Sequence, residues 1–127
     1  MIALDFDGVI ANYGDHVSHT RFNQYLLPLL PERQQPVAIC SNQGGMVFSR
    51  HNPERYPSPL RVAQRLLGGC NFLRRNGYPV QAIYISAFHP KAAADEIQYA
   101  ARSLRDLVSV IAPVWRVYTT ERARKPH

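Results

Sequence analysis

Three short apolar runs constrain the fold of this chain more than any other feature: 2–6 (IALDF), 37–41 (VAICS) and 80–86 (VQAIYIS). Continuous apolar stretches of this length suit strands buried on both faces, as in a parallel sheet. Helical patterns lie between them. Phe22, Tyr25, Leu26, Leu29 and Leu30 fall on one helical face, although Pro28 interrupts it. Val62, Leu66, Cys70 and Leu73 make a second stripe, which Asn76-Gly77 can cap. Ile97, Ala101, Leu104 and Val108 make a third, Pro113 breaks it, and 114–118 (VWRVY) reads as a fourth strand. Strands alternating with helices predict one α/β domain over residues 1–127, built on a parallel sheet.

Composition narrows the class. A chain of 127 residues, 46% hydrophobic and 19% charged, is long enough for one core and too apolar for disorder. No apolar run approaches the roughly 20 residues that span a bilayer, so no membrane association is expected. The first apolar run enters Asp5 directly, unlike a secretory leader, and a cytoplasmic protein is the expectation. Cys40 and Cys70 form neither a disulfide framework nor a metal spacing, and Cys40 reads as a small core residue. The net charge of +6 comes from 13 Arg and 2 Lys against nine carboxylates. Such an excess can draw phosphorylated substrates or nucleic acid, but no basic run is interleaved with aromatics as single-strand binders prefer.

The chemistry concentrates where strands end. In "LDFDG", Asp5 closes the first strand and Asp7 follows two residues on, so an extended chain can turn both carboxylates to one side. Gly8 then allows a sharp turn. Paired carboxylates at a strand end are costly unless compensated, and a hard cation such as Mg2+ is the usual remedy. Asp5 could then attack phosphorus, while Asp7 serves as general acid and base. "AICSNQGG" repeats the design: the second strand ends in Ser41, Asn42 and Gln43, then Gly44-Gly45. A hydroxyl, an amide and freed backbone N–H groups can hold phosphate oxygens. Residues 44–58 form a long loop after that strand, where open parallel sheets bind ligands. Arg50, His51, Arg55 and Tyr56 in that loop could touch substrate, although each also suits a solvated loop.

The DxDG pair and "SNQGG" together resemble the haloacid dehalogenase (HAD) superfamily. They are closest in pattern to the branch of histidinol-phosphate phosphatase, heptose-bisphosphate phosphatase and the polynucleotide 3′-phosphatases. The resemblance implies a three-layer Rossmann-like core. It implies Asp5 as nucleophile and metal ligand, and Asp7 as acid/base that gives its backbone carbonyl to Mg2+. It implies phosphate binding by Ser41 and Asn42, with Gln43 beside them. Ser41 lies only 34 positions after Asp7, too few for a large cap domain between them. The implied substrate is a phosphorylated small molecule or a nucleic-acid 3′-phosphate.

Departures from the family pattern are equally informative. The zinc-loop positions of the heptose-bisphosphate group fall on Ser86, Phe88, Glu121 and Ala123, so no structural zinc is expected. His51 and His89 read as surface or site-edge residues. The family's charge-neutralising lysine is matched by Lys125 in "RKPH", which makes 91–118 an insertion. Lys91, at the start of the third helical stripe, is the alternative, with "VWRVY" then a core strand. The last acidic motif, a Gly-Asp pair after the fourth strand, has no counterpart downstream of either lysine. Three expectations therefore stand side by side: a phosphatase, a fragment of a longer one, or a non-catalytic phosphate-binding module. A receiver-like signalling domain fits less well, because the third strand ends in Ser86-Ala87-Phe88 without an aspartate.

Overall fold

The computed structural model describes residues 2–11, 21–30, 35–111 and 116–120. Its core is β1 (Ile2–Asp5), β2 (Val37–Asn42), α1 (Pro59–Arg75), β3 (Val80–Ser86), α2 (Ala94–Ile111) and β4 (Arg116–Thr120). The four strands are parallel and stand in sequence order, β1-β2-β3-β4. This is a Rossmann-like α/β arrangement: a small parallel sheet with helices against it. No helix among the described residues is long and apolar enough to cross a membrane.

Register explains how the sheet is used. Leu4, Ile39, Ile83 and Val117 are partners across the four strands, and all belong to or pack on the core. The helices supply the other half of that core. Val62, Leu66, Cys70 and Leu73 of α1 are all buried, as are Ile97, Ala101, Leu104 and Val108 of α2. The two helices also pack on each other. Ser58 caps α1, its side chain accepting from the N–H of Arg61, and Pro59 at the first turn loses no helical hydrogen bond. Asn76 and the left-handed Gly77 (φ 92°) end the helix where the sequence placed its cap.

Four readings change. The stripe from Phe22 to Leu30 is a 3-10 helix over Gln24–Leu29 in which only Leu26 is buried; Tyr25 and Leu29 are 86% and 81% exposed. Pro28 and a threefold repeat present one residue per turn to the core, not an amphipathic face. The loop after β2 begins with a second 3-10 helix, Gly44–Phe48. The fourth strand, described over Arg116–Thr120, extends two residues past the end read for it, and it pairs with β3. The strands are not uniformly buried on both faces, since β1 and β4 alternate in exposure. Both are outer strands of the described sheet, and successive side chains point to opposite faces.

Candidate functional site

Asp5 ends β1 on the face turned away from Leu4. Phe6 follows and is fully buried, with its N–H donating to the Cys40 carbonyl, so β1 continues its pairing one residue past the strand. The chain then turns through Gly8, whose φ of 85° suits glycine. Asp7 sits in that turn, partly buried, and both of its carboxylate oxygens are held. Its Oδ1 accepts from Arg65 Nη2 at 2.7 Å, and its Oδ2 accepts from Gln43 Nε2 at 2.9 Å. Gln43 Nε2 also donates to Ser41 Oγ at 2.6 Å. One amide thus joins the first-strand motif to the second. Such a partnered carboxylate at the sheet's C-terminal rim is fit for a binding or catalytic role.

Asn42 lies two residues beyond Cys40 on the face that carries Asp5, in register with Ser86 and Thr120. Ser41 points the opposite way, into the helix side, and is buried with Gln43. The loop after them is held close. A Cβ on Gly44 would stand 2.6 Å from the Phe88 carbonyl oxygen, so only glycine lets the chain pass the end of β3 there. The Gln43 N–H donates to the Ser86 carbonyl at 2.9 Å, tying the same loop to β3.

The other expected residues fall at differing distances from this rim. The Arg50 guanidinium lies over the Tyr99 ring of α2, 4.1 Å from its centroid, and Arg55 lies over Tyr56 at 5.6 Å. His51 Nε2 faces Glu96 Oε2 at 3.9 Å. The loop is therefore docked on α2 through Arg50 and His51, while Arg55 lies over its own loop neighbour Tyr56. Lys91 is exposed in the turn after β3, its N–H donating to His89 Nδ1. His89 also meets Phe48 edge-on. Lys125, Glu121 and Ala123 lie outside the described residues. Cys40 is not a core residue: it is partly exposed on the Asp5 face. Cys70 is the buried one, and burial pushes its thiol up to about 12.

Two arginines escaped the reading of the sequence. Arg65 is buried in the midst of α1 and also lies over the Phe6 ring, 5.1 Å from its centroid. The signal was a charged residue one position before Leu66 of an otherwise apolar stripe. Arg61, one turn nearer the helix start, has Nε and Nη2 buried without a hydrogen-bond partner. Buried donors of this kind are costly unless an acceptor arrives.

The donor set suits a hard cation in part. Asp5 offers a carboxylate at the strand end, and both Asp7 oxygens accept from protein groups. Among the described residues, no three His, Cys, Asp or Glu side chains converge to hold a metal. Mg2+ commonly needs only one or two carboxylates, with water and substrate oxygens completing its shell, so Asp5 suffices to begin such a site. Compared with protein-family models, curated proteins and solved structures, the chain matched none.

Proposed function

We propose that this chain is a Mg2+-dependent phosphomonoester hydrolase of HAD type that works through an aspartyl-phosphate on Asp5. The observation that carries the reading is the Gln43 bridge, which joins Asp7 to Ser41 and so brings the two motifs together at one strand end. The unpartnered donors of Arg61, one turn from Arg65 in α1, add a demand for an acceptor.

In this reaction an Asp5 oxygen attacks phosphorus, and the bond from phosphorus to the leaving alcohol breaks. The alcohol oxygen takes its proton from Asp7. Water then attacks the phosphorus of the aspartyl-phosphate and gives a proton to Asp7. The bond to Asp5 breaks, releasing phosphate and restoring the carboxylate. Asn42 and the backbone beyond it would hold phosphoryl oxygens, with Ser41, buried on the helix side, bracing Gln43 instead, and Lys125, or Lys91, would balance their charge. Bound Mg2+, held by Asp5 and the Asp7 main-chain carbonyl, would supply further charge neutralisation. Asp7 already accepts at both oxygens, so a proton it donates must occupy a remaining lone pair beside the Arg65 guanidinium.

That double engagement also favours a second reading, phosphate binding without turnover. One experiment separates them. The full chain should hydrolyse p-nitrophenyl phosphate when Mg2+ is added, and Asp5→Asn should lower kcat by roughly a thousandfold or more, as loss of a nucleophile does. Saturable phosphate binding with no hydrolysis would replace the first reading with the second. Undiminished hydrolysis by the Asp5→Asn variant would remove Asp5 from the mechanism.

A further inference from the structure

We propose that the sheet face beside Asp5 is a subsite for a planar nucleobase, so that the ligand class is a phosphorylated nucleoside. The placement of the phosphate rests on the function proposed above; the base subsite rests on separate observations.

Asp5, Cys40, Tyr84 and Tyr118 are register partners, one from each strand, and so form a row across this face. The Tyr84 and Tyr118 rings stack with centroids 5.0 Å apart and planes 15° from parallel, and each residue is 45% exposed. That separation matches the spacing of neighbouring strands, about 4.8 Å. The stack therefore runs from strand to strand, with each ring plane standing across that direction. Tyr118 covers one face of Tyr84, and the other face looks toward β2. The residue there is Cys40, whose short side chain leaves the next place in the stack vacant. Beyond it, one more strand over, stands Asp5.

The vacant place is part of a cavity of about 300 Å³ lined by Asp5, Cys40, Asn42, Tyr84, Ser86 and Tyr118, among others. This is within the range of small-ligand sites. Ser86 supplies an independent sign of a ligand. It is 9% exposed, and its Oγ is buried without a hydrogen-bond partner. A ring bearing nitrogen and exocyclic polar groups could satisfy that hydroxyl while continuing the stack. A sugar phosphate has no planar π-face with which to continue the stack. Two strand spacings, roughly 10 Å, separate the Tyr84 backbone from that of Asp5. A base in the middle slot would thus have its phosphate directed to the carboxylate end.

The test uses the full chain and four ligands. Adenosine binding, followed by calorimetry, reads the base subsite without phosphate. Hydrolysis of adenosine 5′-monophosphate against ribose 5-phosphate reads the advantage that the base confers. A short oligodeoxynucleotide with a 3′-phosphate, compared with adenosine 5′-monophosphate, tells whether the base comes from a nucleic-acid end or a free nucleotide. Adenosine should bind, and Tyr84→Ala should weaken it about tenfold or more, the scale of one lost base–aromatic stack. Tyr84→Phe, which keeps the ring, should retain binding within about twofold on the same grounds. Ser86→Ala should weaken it by a smaller factor. Because Tyr84 is half exposed, circular dichroism should show the variants folded. Adenosine binding unaffected by Tyr84→Ala, or no adenosine binding, overturns the subsite, even if ribose 5-phosphate is hydrolysed. Tyr84-dependent adenosine binding with no ester hydrolysed supports the subsite and defeats the phosphatase reading instead.

Discussion

Leu4, Ile39, Ile83 and Val117 make one row across the sheet, and Asp5, Cys40, Tyr84 and Tyr118 make the next, one residue further along each strand. The first row lies under α1 and α2, with Ile39 and Ile83 fully buried. The second row carries a carboxylate, a thiol and two half-exposed rings beside a cavity. One row is chosen for packing and the other is free to be chosen for chemistry. The difference arises because side chains alternate between faces while the described helices α1 and α2 lie against one of them.

The sharpest way to break this comparison is to truncate each side in turn. Leu104→Ala in α2, fully buried, should lose about 3 kcal/mol, as core leucine truncations do. Tyr118→Ala on the other face should lose less than about 1 kcal/mol, the usual range for surface changes. Urea denaturation measures both. Equal losses would mean that the tyrosine face is packed as firmly as the helix face.

Arg65 tests the link between the helix layer and the carboxylate end, since it starts in α1 and ends on Asp7. Arg65→Met keeps most of its apolar bulk and should lower stability by about 2 kcal/mol, the scale of a hydrogen bond to a charged group. Asp7 remains partly solvated, which trims that figure. Activity should fall further than stability does, because Asp7 would then be held only through Gln43. Arg65→Lys should restore charge without restoring position, as an ammonium lacks the planar fork. Steady-state kinetics beside denaturation curves would show whether Arg65 acts through Asp7 or only through packing.

The smallest effect is read by the cysteines. Iodoacetamide at pH 8 should modify Cys40 and leave Cys70, and bound adenosine should slow the reaction at Cys40; mass spectrometry follows both. Burial raises the Cys70 thiol from 9.0 to about 12. The folded state therefore keeps a proton that the unfolded state gives up above pH 9. The associated stability is complete below pH 9 and declines as pH rises toward 12. Modification of Cys70 at pH 8 as fast as Cys40 would show that the helix face opens as readily as the other.

Much of the helix side was legible because it follows local periodicity. β3 runs over the apolar stretch read for it, and the stripes of α1 and α2 are buried throughout. Tyr25 and Leu29 misled, because apolar residues near a proline imitated a helical face that 3-10 geometry does not build. The two aspartates and Ser41, Asn42 and Gln43 could be placed from their strand ends. Arg65 could not be assigned to Asp7, since that contact depends on how α1 returns across the sheet. The tyrosine pair was equally hidden: Tyr84 and Tyr118 meet only through the β3–β4 register, which no local pattern encodes. Cys40 looked like core because its neighbours are apolar, yet the alternation of faces turns it toward the cavity.

The alternating rows also give the molecule a form of error detection. A one-residue slip of β4 against β3 would send Tyr118 beneath the helices and bring Val117 out beside Tyr84. The same slip would damage the core and dismantle the aromatic stack together. A mispaired sheet therefore cannot trade a poorer core for an intact tyrosine row, and any ligand that requires all four strands in line also favours the correctly assembled chain.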